Sequence, residues 1–188
     1  MRSGVTGFIL LMAVMSAALG ACAASGNDTS DATHSSGTGY YSYLGNIDYS
    51  SDMAALVWEQ VPGEDEGIFG IQYREVTDIN GLTAQTEIPV CLYFYSSSAR
   101  GAQSLTAGVE DLAQTLVGKV LIVAIDGVAE DAVSTAYEVG GYPEFVLIAD
   151  DARVSTFSGY DYEVWGIDDV TLWMTDNGYE PDISMLER

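Results

Sequence analysis

The chain has 188 residues, 48% of them hydrophobic, with 28 acidic and 6 basic side chains and a formal net charge of −22. That length fits one globular domain with accessory segments, and a field of that sign repels phosphate backbones, so nucleic acid is excluded as a partner. One histidine, one lysine and two cysteines are a poor catalytic inventory. His34 lies in a Ser/Gly/Thr-rich stretch outside any expected core, which excludes a Ser-His-Asp or Cys-His set and a histidine-based zinc site; no metal site and no cofactor is expected.

In chain order, Met1-Arg2 is followed by an apolar run over residues 8–15 and the small residues Ser16-Ala17-Ala18. This is the pattern of a signal peptide over residues 1–21. Its exit, Leu19-Gly20-Ala21-Cys22, resembles a bacterial lipobox. The resemblance implies cleavage before Cys22 and fatty acylation of its sulfur and new amino group. Several acyl chains give stable membrane attachment where one gives marginal binding. Ordinary secretion and an uncleaved span are the alternatives. Residues 22–50 are expected to be a flexible tether ahead of a domain over 51–188. The tether is rich in Ser, Thr, Gly, Ala and Asp up to about Gly39, and such a composition does not order itself. The aromatic residues Tyr40, Tyr41, Tyr43 and Tyr49 at its end are expected to dock on the domain.

Residues 53–58 read as a short helix capped by Asp52, or 56–60 as a strand; a short, uniformly apolar run does not separate the two. The acidic segment 62–67 reads as a solvated loop, without the alternating ligand spacing of a calcium loop. Residues 68–76 read as an edge or half-buried strand, and Asp78-Ile79-Asn80-Gly81 as a turn. Residues 90–95 form a continuous apolar run, as in a strand buried on both faces. Ser96 to Ser98 offer helix caps. Leu105, Val109, Leu112 and Leu116 make a helical stripe that Gly118 ends. A second apolar strand over 119–126, a helix over 130–139 stopped by Gly140-Gly141, a third strand over 144–149, a tight turn over 150–153 and a returning strand over 154–158 follow. Asp168 or Asp169 caps a last helix reaching about Asn177, before Gly178. The order β-α-β-α-β-β-α requires a parallel pair followed by an antiparallel hairpin.

That order, with Tyr137-Glu-Val-Gly-Gly-Tyr-Pro-Glu-Phe-Val-Leu-Ile148, resembles the thioredoxin family. In that family an aromatic-x-Val-x-x-x-Pro run precedes the strand leading into the hairpin, and its proline is cis. Pro143 matches that proline and Gly159 a family glycine. The resemblance implies a thioredoxin-like three-layer α/β/α sandwich with a mixed central sheet, matching about residues 87–179 well and 53–86 poorly. Aligned without a gap from Phe94 to Leu112-Ala113, the family's Cys-x-x-Cys falls on Ala99-Arg100-Gly101-Ala102. Its buried acid falls on Tyr93, and the aromatic before its first cysteine on Ser98. Disulfide exchange needs a thiolate, and alanine supplies none.

Cys91 sits inside an apolar strand and reads as an inert core thiol. What remains is recognition. The loop before the family's cis proline offers backbone hydrogen bonds to an extended peptide, and here that surface is Ser98, Ala99 and Arg100 against Gly141, Tyr142 and Pro143. Arg100 at a helix N-terminus suits an anion, and Tyr142 an amphipathic contact. The expectation is a redox-inactive, lipid-anchored module on the outward side of the cell membrane, binding an envelope protein or peptide. A thiol–disulfide oxidoreductase-related enzyme with an atypical site, and an acidic structural or cation-binding lipoprotein, are the alternatives.

Overall fold

Two uninterrupted apolar runs, at residues 90–95 and 121–125, lie side by side at the middle of the sheet in the computed structural model, which describes residues 39–98 and 102–187. After a 3-10 turn at Gly39–Tyr43, the elements are β1 (Leu44–Ile47), β2 (Met53–Gln60), β3 (Phe69–Val76), α1 (Ile79–Ala84), β4 (Val90–Tyr95), α2 (Ala102–Thr115), β5 (Leu121–Asp126), α3 (Asp131–Ala136), β6 (Glu144–Ala149), β7 (Ala152–Ser158) and α4 (Ile167–Asp176). The strand order is β1-β3-β2-β5-β4-β6-β7. β4 and β5 are parallel, and every other described pair is antiparallel. The sheet is therefore mixed, as expected.

Side chains alternate across a strand, and the two faces bury separate cores. Cys91, Tyr93, Ile122, Phe145 and Leu147 face α2 and α4, where Val109, Leu112, Leu116, Val170 and Met174 meet them. Leu92, Phe94, Val123, Ile125 and Val146 face the other way, against Leu82 of α1, Val133 of α3 and Tyr40 and Tyr43 of the N-terminal turn. This is a three-layer sandwich. Gly118, at φ 72°, follows α2 in the left-handed conformation that glycine adopts without penalty.

Several expectations are corrected. The tether expected over 22–50 gives way before its end: residues 39–47 join the domain, with Leu44 opposite Val76 and Ile47 opposite Arg74. The aromatic residues decide this, because Tyr40 and Tyr43 pack on the α1/α3 face of the core. The open choice over 53–60 resolves as a strand. β2 is paired along both edges, by β3 and by β5, and both its faces are covered, Leu56 in one core and Ala55 and Val57 in the other, which is why the run has no period. Of the two readings of 68–76, half-buried holds and edge does not: β3 mixes buried and more exposed residues and lies between β1 and β2. The turn at 78–81 is the start of α1: the Asp78 carboxylate accepts from Gly81 N at 2.9 Å, an N-cap bond. For α4 the cap residue is Gly166 rather than Asp168 or Asp169. Asp169 acts from within the helix, its carboxylate accepting from Gly166 N at 2.8 Å.

The β6–β7 hairpin closes through Asp150 and Asp151, at φ 51° and 58°, with Ala149 and Ala152 paired across it. Two consecutive positive φ values match the right-handed twist of the flanking strands. Phe145 is fully buried, stacks on Tyr93 at 4.7 Å between ring centroids and meets Phe157 and Trp165 edge-on. Phe145→Ala is expected to cost about 3–5 kcal/mol, read from the urea midpoint; a loss under about 1 kcal/mol would mean this aromatic stack is not central to the core.

Candidate functional site: the groove at the carboxyl ends of β4 and β5

Parallel pairing places the carboxyl ends of β4 and β5 together, with Tyr95 beside Asp126. Antiparallel pairing of β4 with β6 brings Glu144 opposite Phe94. Chain geometry thus gathers Ser96 to Ser98, Asp126-Gly127 and the Gly140-to-Pro143 loop at one end of the sheet. The Tyr142–Pro143 peptide bond is cis, as the family resemblance implied. Cys22, Ala99, Arg100 and Gly101 lie outside the described residues. Ser98 is exposed and Gly141, Tyr142 and Pro143 are half-buried.

Asp126 organises the floor. Its side chain is buried and accepts from Ser97 N at 3.3 Å and Val128 N at 3.0 Å. Burial acts to raise its pKa, but the bonds from Ser97, Val128 and Ala129 outweigh it and hold the carboxyl below the usual carboxylate range. The bonds stabilise the charged form in a site where water is scarce. One turn on, Ser96 and Ser98 share a hydroxyl–hydroxyl bond of 2.8 Å.

Tyr142 is not presented to a ligand by its hydroxyl. That hydroxyl donates to Gly127 O at 2.7 Å, the same carbonyl that accepts from Ser134 Oγ at 3.0 Å, and its ring packs on the α1/α3 core. Tyr142 therefore ties the cis-proline loop to the β5–α3 turn. Two residues that the sequence reading did not single out shape the same loop. Glu144 is 2% exposed and accepts from Gly140 N at 3.2 Å, closing the loop across the cis bond. Tyr160 lies over the two glycines: a Cβ at Gly141 would meet its Cγ at 2.8 Å, and one at Gly140 its hydroxyl at 2.4 Å. The Gly140-Gly141 pair, read as a helix stop, is also a seat for an aromatic ring. The only signal for this was a pair of glycines followed twenty residues later by a tyrosine, which no local pattern connects.

Cys91 faces α2 in the core and is fully buried; burial pushes its thiol well above the usual range. Tyr93, at the place of the family's buried acid, is a core aromatic stacked between Tyr95 and Phe145. Among the described residues, no group of three or more His, Cys, Asp or Glu side chains is placed to hold a metal ion, and no helix is long and apolar enough to cross a membrane.

Two outcomes follow from this geometry. Native Cys91 should resist an aromatic disulfide reagent for hours and react fully once unfolded in guanidinium; rapid native labelling would contradict its burial. Because Asp126 has a depressed folded-state pKa, its stabilisation is complete above the unfolded value of about 3.9 and is lost as the pH falls through the folded value. The stability gap between wild type and Asp126→Asn, measured by urea unfolding, should therefore be widest near neutrality and narrow as the pH falls below the unfolded value and through the folded one. A constant gap would mean that the charge is not what the Ser97 and Val128 bonds serve.

The family model described as Thioredoxin matches residues 76–164, from the last residue of β3 to the loop after β7. No curated protein matches the chain. Three solved structures are similar in fold. The germline-specific thioredoxin Deadhead of Drosophila melanogaster is 22% identical, covering 48% of this chain and 81% of its own, at a TM-score of 0.42. Mitochondrial thioredoxin 3 of Saccharomyces cerevisiae, in its oxidized form, is 19% identical, covering 55% and 86%, at 0.42. Fasciola hepatica thioredoxin is 20% identical, covering 50% and 84%, at 0.40. The family match and the sheet order together make this a thioredoxin-like α/β domain, with β1, β2 and most of β3 lying ahead of the matched span.

Proposed function

We propose that this protein is a lipid-anchored, redox-inactive thioredoxin-like module that binds an extended peptide or protein segment in the cell envelope. The single observation that supports it is the pairing of an ordered cis-proline loop with the absence of the family's sulfur chemistry. The cis-proline loop is held by Tyr142 and Glu144 at the carboxyl ends of β4 and β5. Yet the whole sequence contains only Cys22 and Cys91, and no Cys-x-x-Cys. A dithiol reaction needs a second thiol positioned to resolve the mixed disulfide, and a buried core thiol does not serve.

In this reading Cys22 is acylated and residues from 23 to the start of the domain are the tether. The backbone of Gly141 and Tyr142 pairs with the ligand main chain, as in strand addition. Ser98, Ala99 and Arg100 are the further binding residues in this reading, with Arg100 taking an anionic group. Tyr142 acts through the loop it positions rather than by direct contact, and Tyr160 supplies the exposed aromatic surface.

The test has two arms. Cys22→Ser should move the protein from the membrane to the soluble fraction and abolish fatty-acid labelling; retention at the membrane would remove the anchor. Wild-type, Arg100→Ala and Tyr160→Ala chains should then be used as baits in envelope extract. At least one partner should be recovered by wild type and reduced about fivefold or more by each variant, as expected when a central contact is truncated. Equal recovery by all three baits, or reduction of insulin disulfides by the wild-type chain, would falsify the groove reading.

A further inference from the structure

The face that carries α2 and α4 is not covered along its whole length. β5 pairs with Met53 to Leu56 only, whereas Val57 to Gln60 pair with β3 alone, so β2 and β3 overhang the amino end of β5. Trp58 lies opposite Ile71 in this overhang, and Phe69, Ile71 and Tyr73 share one face by strand alternation. With Tyr49 from the β1–β2 turn and Glu110 and Asp111 from α2, these rings line a cleft of ≈ 580 Å³. Small-ligand sites span about 300–1,000 Å³. The cleft is at the end of the sheet away from the β4–β5 carboxyl ends, so it is separate from the peptide groove proposed above.

One side of the cleft, formed by Tyr49 and Tyr73, is held by hydrogen bonds. The turn bearing Tyr49 is held by Asp48 N donating to Tyr73 O at 2.8 Å. The Tyr49 hydroxyl donates to Gln72 Oε1, and Gln72, 3% exposed, donates in turn to Ile71 O at 3.1 Å. The Tyr49 and Tyr73 rings lie 5.7 Å apart at 47°, making a corner rather than a stack. Tyr73 donates to Glu110 Oε1 at 2.7 Å; burial, and then that carboxylate, keep the phenol protonated. A carboxylate accepts several hydrogen bonds, so the one from Tyr73 does not exhaust Glu110. A preorganised wall lowers the ordering cost of binding.

Four aromatic side chains and two carboxylates face this space, and no described lysine or arginine lines it. Arg74, the nearest base in the sequence of β3, is engaged by Glu59 at 2.8 Å and projects to the other face by strand alternation. The exposed lining of this space is mostly polar, with two negative charges, no positive one and four aromatic rings beside them, a combination that complements an organic cation. Ring faces attract such cations through their quadrupole. We propose that this cleft binds a small organic cation of the quaternary-ammonium class, its charge set against Glu110 and Asp111 and its alkyl groups against Tyr49, Trp58, Phe69 and Tyr73.

The test is a titration of the full-length chain with choline, followed by amide chemical shifts, beside three comparison probes. These are the neutral carbon isostere of choline, in which a tert-butyl group replaces trimethylammonium; a neutral disaccharide; and acetyl-lysinamide. Saturable shifts centred on β2, β3 and the Tyr49 turn are expected, with the isostere binding about tenfold or more weaker because it lacks the charge. Glu110→Gln and Phe69→Leu should each weaken choline binding by about threefold to tenfold. Both sites are at least partly exposed, and circular dichroism checks that each variant is folded. Four results would overturn the proposal: no saturable shift with choline, equal binding of the isostere, tighter binding of the disaccharide, or tighter binding of acetyl-lysinamide. The last two would assign the cleft to a sugar or to a protein side chain instead.

Discussion

β4 and β5 are buried on both faces, so their backbone N–H and C=O groups have no recourse to water and must pair with other strands. Pairing them with each other in parallel forces a crossover, which α2 supplies, and leaves each with one further edge to satisfy. β5 meets this need with β2 and β4 with β6. The rest of the sheet is added outward from those two decisions. The same constraint places two strand ends and a returning loop within reach of one another, at the end of the sheet where Tyr95, Asp126 and Glu144 meet.

Position within that pair also determines what each side chain can do. In β4, alternate residues face the two cores, and Cys91 falls on the α2 side with no exit to solvent. Asp126, one residue from the turn, falls where backbone N–H groups converge, and it holds its charge. A thiol and a carboxylate in neighbouring strands thus have opposite fates. One is silenced by burial and the other is stabilised by donors.

The central elements were legible because their signals are local. The apolar runs of β4 and β5, the Val109/Leu112/Leu116 stripe of α2 and the Asp150-Asp151 turn each declare themselves within a few residues. β2 did not, because a strand buried on both faces has no alternation and its length matches a short helix. The docking of the N-terminal aromatic residues was legible, and Tyr40 and Tyr43 pack on the core; the strand that follows them was not, because Leu44 to Ile47 pair with β3 some thirty residues later. In the groove, Pro143 was readable from its surrounding motif. The roles of Tyr142, Glu144 and Tyr160 were not, since each depends on a partner that only the folded chain brings close. The overhang of β2 and β3 was invisible for a related reason: it is a mismatch of strand lengths, not a motif.

β1 spans four residues, lies outermost in the sheet and joins β3 through an irregular register. For a chain anchored at its amino terminus as proposed, any pull reaches the domain through the Gly39–Tyr43 turn, whose Tyr40 and Tyr43 pack on the core, and then through this strand. An outer antiparallel strand loaded from one end comes away bond by bond, not all at once. β1 is thus a mechanical fuse: it yields under tension and lengthens the leash, while the parallel pair that frames the groove stays unloaded.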